Sequence, residues 1–203
     1  GDHRDLHSLP TRRSSDLFTS PHDPRTTPDG WGHKYAPEEV ELPPSFMPEH
    51  PFDNGELRIR DEVLLPHPRT EAAVRGEIAS YYGMISEVDF QIGRILQALR
   101  ESGRAGNTII VFAGDNGLAV GRHGLLGKQN LYDHSVRVPL VLSGPGISPG
   151  TRSGAYCYLL DVFPTLCDMA GLEAPASVSG RSILPAIRRS EERRVGKECR
   201  SRW

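Results

Sequence analysis

Asn107–Gly117 reads NTIIVFAGDNG, and this stretch decides the fold class that the sequence predicts. Asn107–Ala113 is a largely apolar run rich in β-branched side chains, which is typical of a parallel strand that is covered on both faces. A second strand of this kind is predicted at Val138–Leu142, VPLVL, directly before the turn-forming sequence SGPG. Two such strands joined by a long loop indicate an open, mostly parallel sheet.

Helices are predicted on both sides of this pair of strands. Upstream, Thr70 is suited to cap the N-terminus of a long helix and Gly103 its C-terminus, and apolar residues recur between them at three- and four-residue spacing. We interpret this apolar stripe as a packing face. Downstream, Asp161–Met169 is predicted to be a helix that stops at Gly171. The order of elements predicts an α/β fold, part of a mostly parallel open sheet flanked by helices.

The sequence Asp-Asn-Gly occurs twice, in different surroundings. Asp53–Gly55 follows the proline-rich, loop-like segment Phe18–Pro51, and we interpret it as a plain turn ahead of a short exposed strand. Asp115–Gly117 comes one residue after a predicted strand, at the carboxyl end where open α/β sheets bind ligands. Because carboxylate and amide oxygens are hard ligands, Asp115 and Asn116 are candidate ligands of Ca²⁺ or Mg²⁺; a turn without a metal is the alternative.

Composition limits the classes of function. The chain has 203 residues, a formal net charge of −2, 37% hydrophobic residues and a mean hydropathy of −0.43. The nearly balanced charge gives no basic surface for nucleic acid, and no segment has the long apolar run of a membrane span. The cysteines lack CxxC spacing, so neither a zinc site nor a disulfide framework is predicted.

Both ends of the chain are predicted to be artefactual tails. The DNA AGATCGGAAGAGC encodes the RSEE of Arg189–Glu192, and its reverse complement, preceded by C, encodes the RSSDL of Arg13–Leu17. This complementarity resembles sequencing-adapter DNA that was read through at both ends of a fragment. We therefore expect residues 1–17 and 189–203 to be adapter-like, and residues 18–188 to be the native part, with ends that need not be domain boundaries.

A glycine-rich loop after Asp115 carries further polar candidates. It contains His123 within Gly-Arg-His-Gly and then Lys128 after a glycine, whereas His22 lies far upstream in a proline-stiffened loop, SPHDP. A lysine and a histidine beside a divalent ion could bind a tetrahedral oxyanion and protonate a leaving oxygen. Taken singly, Lys128 reads as a solvated lysine and His22 as a loop histidine.

The ordered set of these motifs resembles the type I sulfatases of the alkaline phosphatase superfamily. The set runs from SPHDP through the long helix to IIVFAGDNG, GRHG, GK, YD, RVPLVLSGPG, LLDVFPTLCDMAGL and SGRSILP, and it spans essentially all of residues 18–188. The resemblance implies that these residues are a C-terminal portion of a sulfatase catalytic domain, with an incomplete alkaline phosphatase-like fold. It also implies that the intact protein cleaves the sulfate ester of a small molecule or glycan and is periplasmic or secreted.

The resemblance assigns roles to individual residues. Asp115 and Asn116 correspond to two ligands of the family's catalytic Ca²⁺. Lys128 corresponds to the lysine that binds the sulfate and assists the leaving group, and His22 to the histidine of the family's PH-containing loop. His123 corresponds to a histidine that many members carry near the substrate.

The family's nucleophile is missing from the native part of the chain. Members use a formylglycine made from the first residue of C/S-x-P-x-R, and neither Cys157 nor Cys167 fits that pattern. Ser8–Arg12 does fit it, but this stretch lies in the adapter-like tail, lacks the Thr-Gly-Arg that follows in the family and precedes His22 too closely. We therefore exclude Ser8 as a nucleophile and expect the chain as it stands to have no sulfatase activity.

Two other functions are compatible with these motifs. A phosphonate monoester hydrolase or phosphodiesterase of the same superfamily shares much of this layout. A non-catalytic α/β binding module would use Asp115–Gly117 only as a turn. In each case the few predicted strands leave one sheet edge exposed to solvent, so we expect marginal stability or aggregation.

Overall fold

The computed structural model describes residues 15–188 of the chain. Two compact units divide the chain, one formed by Leu17–Val141 and the other containing Leu142 and the residues after it. The predicted adapter-like tails, apart from residues 15–17, lie outside the described residues, and so does Ser8. Their assignment stays a prediction.

The long helix predicted after Thr70 is confirmed. Helix α1 spans Glu71–Glu101, and the Thr70 hydroxyl caps it by accepting a hydrogen bond from the N–H of Ala73 at 3.2 Å. Gly103 follows the C-terminus with a φ of 70°, a left-handed conformation that glycine adopts without steric cost. Local sequence signals therefore define both ends of this helix.

The apolar stripe of α1 is fully buried only in the N-terminal half of the helix. Val74 and Ile78 are buried in the core of the Leu17–Val141 unit. Further along, Ile85 and Ile95 stay 41% and 43% exposed, and Val88, Ile92 and Leu99 are half-buried. The other buried members of this core are Val40, Ala79 and Val120.

Both predicted strands form, although with different bounds. Strand β1 spans Ile110–Ala113 and strand β2 spans Leu140–Ser143, and the two pair in a two-stranded sheet. The prediction that a strand begins at Asn107 is wrong. Ala105–Asn107 forms a 3₁₀ turn, in which the N–H of Asn107 donates to the carbonyl oxygen of Arg104 at 2.9 Å. The turn therefore occupies a backbone N–H group that a longer strand would need for pairing.

The prediction that these strands are covered on both faces is also wrong for the described residues. Phe112 in β1 is 44% exposed, and Val141 in β2 is 56% exposed. A parallel sheet hides such side chains only when helices lie on both of its faces. The sheet in residues 15–188 has two strands, and its apolar side chains reach solvent.

The unit that contains Leu142 holds the second predicted helix. Helix α3 spans Val162–Met169, which confirms the prediction apart from its first residue. Asp161 instead closes a preceding 3₁₀ turn, and its carboxylate accepts hydrogen bonds from the N–H groups of Tyr158 and Arg181, each at 2.8 Å. This buried carboxylate therefore ties two distant stretches of this unit together.

Two short helices are not predicted by the sequence. Helix α2 spans Asp133–Val136 and helix α4 spans Leu184–Arg188, and both are too short for an apolar period to appear. Phe18–Pro51 is loop-rich as predicted, with a single 3₁₀ turn at Pro37–Glu39. None of the described helices combines the length and apolar composition that crossing a membrane requires.

Asp53–Gly55 is the plain turn that the sequence predicts. The N–H of Gly55 donates to the carboxylate of Asp53 at 2.8 Å, and the N–H of Glu56 donates to the side chain of Asn54 at 3.0 Å. The short exposed strand expected after it does not form, because the chain continues through turns into a 3₁₀ turn at Glu62–Leu64.

Candidate active site

A cavity of about 260 Å³ lies in the Leu17–Val141 unit and is lined in part by the turn that follows β1. His22, Lys128, Asp115 and Asn116 all line this cavity. The structure therefore brings together four residues that the sequence picks out in three separate segments. The remaining lining residues are Phe18, Thr19, Ser20, Pro21, Tyr81 and Leu118.

His22 and Lys128 are in direct contact at the wall of this cavity. The Nζ of Lys128 lies 2.6 Å from the Nε2 of His22, and a guanidinium nitrogen of Arg60 lies 3.4 Å from the same Nε2. Because ammonium and guanidinium groups only donate, the Nε2 of His22 acts as the acceptor. The other ring nitrogen, Nδ1, then carries the proton and donates a hydrogen bond to the carbonyl oxygen of Asp23 at 2.9 Å. Two protein contacts thus select the Nδ1–H tautomer of His22.

Two buried carboxylates hold Arg60 beside this pair. The side chains of Asp23 and Asp61 are 2% and 3% exposed, and Arg60 reaches them at 3.4 Å and 2.6 Å, while 66% of its own side chain faces solvent. Burial alone would raise the pKa of Asp61. Hydrogen bonds from Gln129 and Arg60, together with the positive charges of Arg60 and Lys128, outweigh this effect, so the pKa of Asp61 lies below its ordinary value. Asp61 is therefore a carboxylate that balances the positive charges around it.

Asp115 and Asn116 form a tight turn directly after β1. The carboxylate of Asp115 accepts a hydrogen bond from the N–H of Asn116 at 2.9 Å, and the side-chain amide of Asn116 donates to the carbonyl oxygen of Gly117 at 3.1 Å. The amide nitrogen of Asn116 is thus used by the turn, and its side-chain oxygen is the atom suited to a cation.

The oxygen atoms of this turn are of the type that binds Ca²⁺, but they are too few to hold the ion alone. A carboxylate and an amide oxygen are typical ligands of this ion, which takes about six to eight oxygens in proteins. Across residues 15–188, no group of three or more His, Cys, Asp or Glu side chains is placed to hold a metal. A Ca²⁺ ion held by Asp115 and Asn116 would therefore need further ligands.

His123 lies in an aromatic cluster, apart from the residues that line the cavity. Its ring stacks on Tyr132 with centroids 4.4 Å apart, and the ring of His134 lies 5.8 Å away. The N–H of His123 donates to the carbonyl oxygen of Ser45 at 2.7 Å, and its own carbonyl oxygen accepts from His50 at 2.7 Å. These contacts connect the glycine-rich loop to the proline-rich segment; a role at the substrate stays a prediction.

Sequence reasoning missed the charged residues beside the site. Arg60, Asp61 and Glu62 belong to the polar alternation ELRIRDE, and such a pattern is typical of an exposed strand. Asp61 and Glu62 are nevertheless 2% and 3% exposed. The available signal was a run of three charges between Ile59 and Val63, which by itself is more often a solvated surface.

Comparisons with known proteins identify the family to which the chain belongs. The family model named Sulfatase matches residues 18–172. Arylsulfatase K of Xenopus laevis is 32% identical over 184 residues, which are 90% of this chain and 32% of that protein. The phosphonate monoester hydrolase of Agrobacterium radiobacter superposes with a TM-score of 0.72 at 30% identity, over 83% of this chain and 36% of that chain. BT4656, solved in complex with its substrate D-glucosamine-2-N,6-O-disulfate, gives a TM-score of 0.57 at 33% identity, over 59% of this chain and 24% of that one.

The fold and the solved relatives define the class as a partial α/β fold of the alkaline phosphatase type, which confirms the predicted fold class. Within that class, the chain belongs to the sulfatase family. It spans about a third of the length of the Xenopus relative.

Proposed function

We propose that this chain supplies the leaving-group side of a sulfate ester hydrolase site. The observation that carries the proposal is the 2.6 Å contact between the Nζ of Lys128 and the Nε2 of His22, at the wall of a cavity that Asp115 and Asn116 also line. Preorganised cationic donors in such a cavity stabilise an anionic group and the charge that develops on it. The substrate class is a sulfated small molecule or a sulfated glycan.

Lys128 is the proton donor in this arrangement. In the Nδ1–H tautomer, the Nε2 of His22 holds the ammonium group by accepting one of its hydrogen bonds, and the other N–H groups of Lys128 are available to a sulfate oxygen. In a longer protein that supplies the nucleophile, its attack on sulfur would break the bond to the ester oxygen, and Lys128 can pass a proton to that leaving alcohol oxygen. His22 orients the donor and receives its hydrogen bond.

Asp115 and Asn116 would bind the Ca²⁺ that the resemblance implies. Bound there, the ion would supply positive charge against the sulfate group. The two side chains provide hard oxygens of the required kind, but only part of the ligand set, so this chain should bind the ion weakly. Replacing Asp115→Asn removes the carboxylate and should abolish any stabilisation by millimolar Ca²⁺ in a thermal melt. The unsubstituted chain should gain a small, concentration-dependent increase in Tm.

The nucleophile is not part of the proposal for this chain. Between residues 15 and 188, neither cysteine nor serine begins a C/S-x-P-x-R sequence, the pattern from which family members make formylglycine. We expect purified chain to leave an aryl sulfate intact. Turnover in proportion to the amount of this protein would contradict that expectation.

Binding of inorganic sulfate tests the site without requiring turnover. Titration of the chain with sulfate, followed by NMR of the imidazole and amide groups, should shift the signals of His22 and of the residues around Lys128. The variant Lys128→Met keeps an apolar stem of similar length but loses the ammonium group. Its dissociation constant for sulfate should rise at least about tenfold, because a hydrogen bond to a charged group is worth about 1.5–3 kcal/mol.

A matched control comes from Lys34, whose ammonium group lies over the ring of Trp31 at 4.8 Å. Lys34→Met removes the same charge within the same unit, outside the cavity lining. It should leave the sulfate affinity unchanged. Equal losses in the two variants would reduce the effect to net charge and contradict the proposed site.

A phosphonate monoester hydrolase is the second candidate function. Two structures of such enzymes superpose with TM-scores of 0.71 and 0.72, whereas a putative sulfatase of Bacteroides fragilis and the sulfatase complex with the disulfated sugar give 0.64 and 0.57. For a longer protein that includes this stretch and a nucleophile, kcat/KM for an aryl sulfate and for a phosphonate monoester separates the two. If this chain responds neither to sulfate nor to Ca²⁺, a non-catalytic α/β module is the better description.

A further inference from the structure

A buried ion pair lies directly behind the loop that carries Lys128. Glu62 and Arg69 are 3% and 2% exposed, and a guanidinium nitrogen of Arg69 lies 2.5 Å from the Glu62 carboxylate. Burial acts against the charged form of Arg69 and lowers its pKa, and the negative charge of Glu62 opposes this effect. Because two buried charges are costly to desolvate, a pair of this kind is weak evidence for stability alone.

Three further hydrogen bonds of the pair reach the backbone of Gly124–Gly127. The two carboxylate oxygens of Glu62 accept from the N–H of Leu126 at 2.9 Å and from the N–H of Gly127 at 2.7 Å. The Nε of Arg69 donates to the carbonyl oxygen of Gly124 at 2.9 Å. The pair therefore fixes this loop at three backbone atoms, in a region without a helix or strand of its own.

The loop packs tightly against the carboxylate at Gly127. A Cβ at this position would lie 3.0 Å from both a carboxylate oxygen of Glu62 and the Cβ of Asp61, and 2.7 Å from the side-chain oxygen of Gln129, which can move away. On its other side, the carbonyl oxygen of Gly127 accepts from the N–H of Ala119 at 2.9 Å. The backbone is thus held from both sides immediately before Lys128.

We propose that Glu62, acting with Arg69, is a positioning residue that sets Lys128 against His22. A lysine side chain is long and flexible, so a 2.6 Å contact between its Nζ and the Nε2 of His22 requires that its own backbone be fixed. Glu62 fixes that backbone through Gly127 and does not line the cavity itself. The inference rests on the proposed function, since it concerns how the lysine of that site is held.

The first test replaces Glu62→Gln in the full 203-residue chain. Glutamine keeps the shape but offers one acceptor oxygen in place of two, and it removes the charge that pairs with Arg69. We expect the nuclear Overhauser contact between the ring of His22 and the end of the Lys128 side chain to disappear. The dissociation constant for inorganic sulfate should rise at least tenfold.

The control is Ile78→Val, a buried change in the core of the same unit. It should lower the Tm while keeping the contact between His22 and Lys128, and it should leave sulfate affinity within a factor of two. If these effects came from a general loss of stability, both variants would lose the contact between His22 and Lys128 and bind sulfate more weakly. If Glu62 has a positioning role, only Glu62→Gln should do so. A folded Glu62→Gln protein that keeps the contact between the two side chains overturns the proposal.

A second variant covers the case in which Glu62→Gln does not fold. Arg69→Lys keeps a positive charge beside Glu62 but removes the Nε that donates to the carbonyl oxygen of Gly124, so it should also weaken the contact between His22 and Lys128. If Arg69→Lys folds and retains that contact in full, the proposal is wrong.

The unsubstituted chain provides an independent readout. The amide protons of Leu126 and Gly127 should exchange with solvent as slowly as those of α1, because a buried carboxylate accepts both. Exchange at the rate of an exposed loop would overturn the proposal. Failure of the unsubstituted chain to bind sulfate would instead count against the proposed function, since the side-chain contact and the exchange rates are measured without any ligand.

Discussion

Gly117 lies so close to the carbonyl oxygen of His134 that a Cβ at this position would overlap with that oxygen. The N–H of Gly117 also donates to the carbonyl oxygen of Ser135 at 2.9 Å. The turn that carries Asp115 and Asn116 therefore packs directly against the backbone of α2. Glycine is needed here for space, beyond any preference of a turn.

Gly117→Ala should therefore destabilise the protein by about 1–3 kcal/mol, the usual cost of forcing extra atoms into a packed region. The measurement is urea unfolding followed by circular dichroism. Gly76→Ala is the matched control, because nothing lies within 4 Å of a Cβ at that helical position. It should stabilise α1 by up to about 1 kcal/mol. Equal stability of Gly117→Ala and the unsubstituted chain would contradict the close packing on α2.

Thr165→Val should destabilise the unit that contains Leu142. The Thr165 hydroxyl is fully buried, donates to the carbonyl oxygen of Asp161 at 2.6 Å and accepts from the N–H of Ile183 at 2.9 Å. Valine keeps the shape but leaves that N–H without its acceptor, at a cost of about 1–3 kcal/mol. Thr151→Val alters an exposed hydroxyl and should change the free energy of unfolding by less than about 0.5 kcal/mol. Similar unfolding midpoints for both variants would show that the buried hydroxyl is dispensable.

His134 should make the protein less stable as the pH falls from 6.5 to 4. Burial, followed by the positive charges of His123 and Arg122, lowers the pKa of His134 from its ordinary 6.5 to about 4. Between pH 6.5 and pH 4, His134 is protonated in the unfolded chain but stays neutral in the folded chain. The free energy of unfolding therefore decreases as the pH falls through this range. The loss should be on the order of 1 kcal/mol, because solvent screens a ring that is only half-buried.

The measurement for His134 compares the free energy of unfolding at several pH values for the unsubstituted chain and for His134→Gln. Glutamine does not titrate, so the difference between the two proteins should change between pH 6.5 and pH 4 and then level off. The lowered pKa of Asp61 acts only at lower pH, below the ordinary carboxyl value of 3.8. Parallel pH profiles for the two proteins would mean that His134 titrates alike in the folded and unfolded chains.

Arg60→Gln should have a smaller and more salt-sensitive effect on sulfate binding than Lys128→Met. Arg60 contacts the Nε2 of His22, yet most of its side chain faces solvent. Water and salt screen an exposed charge, so we expect a loss of about two- to threefold at low ionic strength that vanishes in about 0.5 M NaCl. Sulfate titrations at two salt concentrations provide the measurement. A salt-independent loss would place Arg60 in direct contact with the anion.

The sequence predicts the fold best where the signals are local. The Thr70 cap, the long helix and the Asp115–Asn116 turn after a strand all depend on residues within a few positions of one another. The start of β1 could not be predicted in this way, because a 3₁₀ turn at Ala105–Asn107 competes for the same backbone. Propensity for a strand does not decide such a competition.

The charged residues behind the site could not be predicted from their neighbours. Glu62 is buried because it accepts from backbone N–H groups that lie 64 and 65 residues further along the chain. A sequence shows no partner at that distance, and its default interpretation for a charge is an exposed surface. The same holds for the tautomer of His22, which depends on donors from Arg60 and Lys128.

The two halves of the His22–Lys128 contact lie 106 residues apart in the chain. A ribosome adding about 5–20 residues per second produces them about 5–20 s apart. During that interval His22 has been synthesised but Lys128 has not, so the contact between them cannot form until the glycine-rich loop emerges from the ribosome. The site is therefore among the last features that this unit can complete during synthesis.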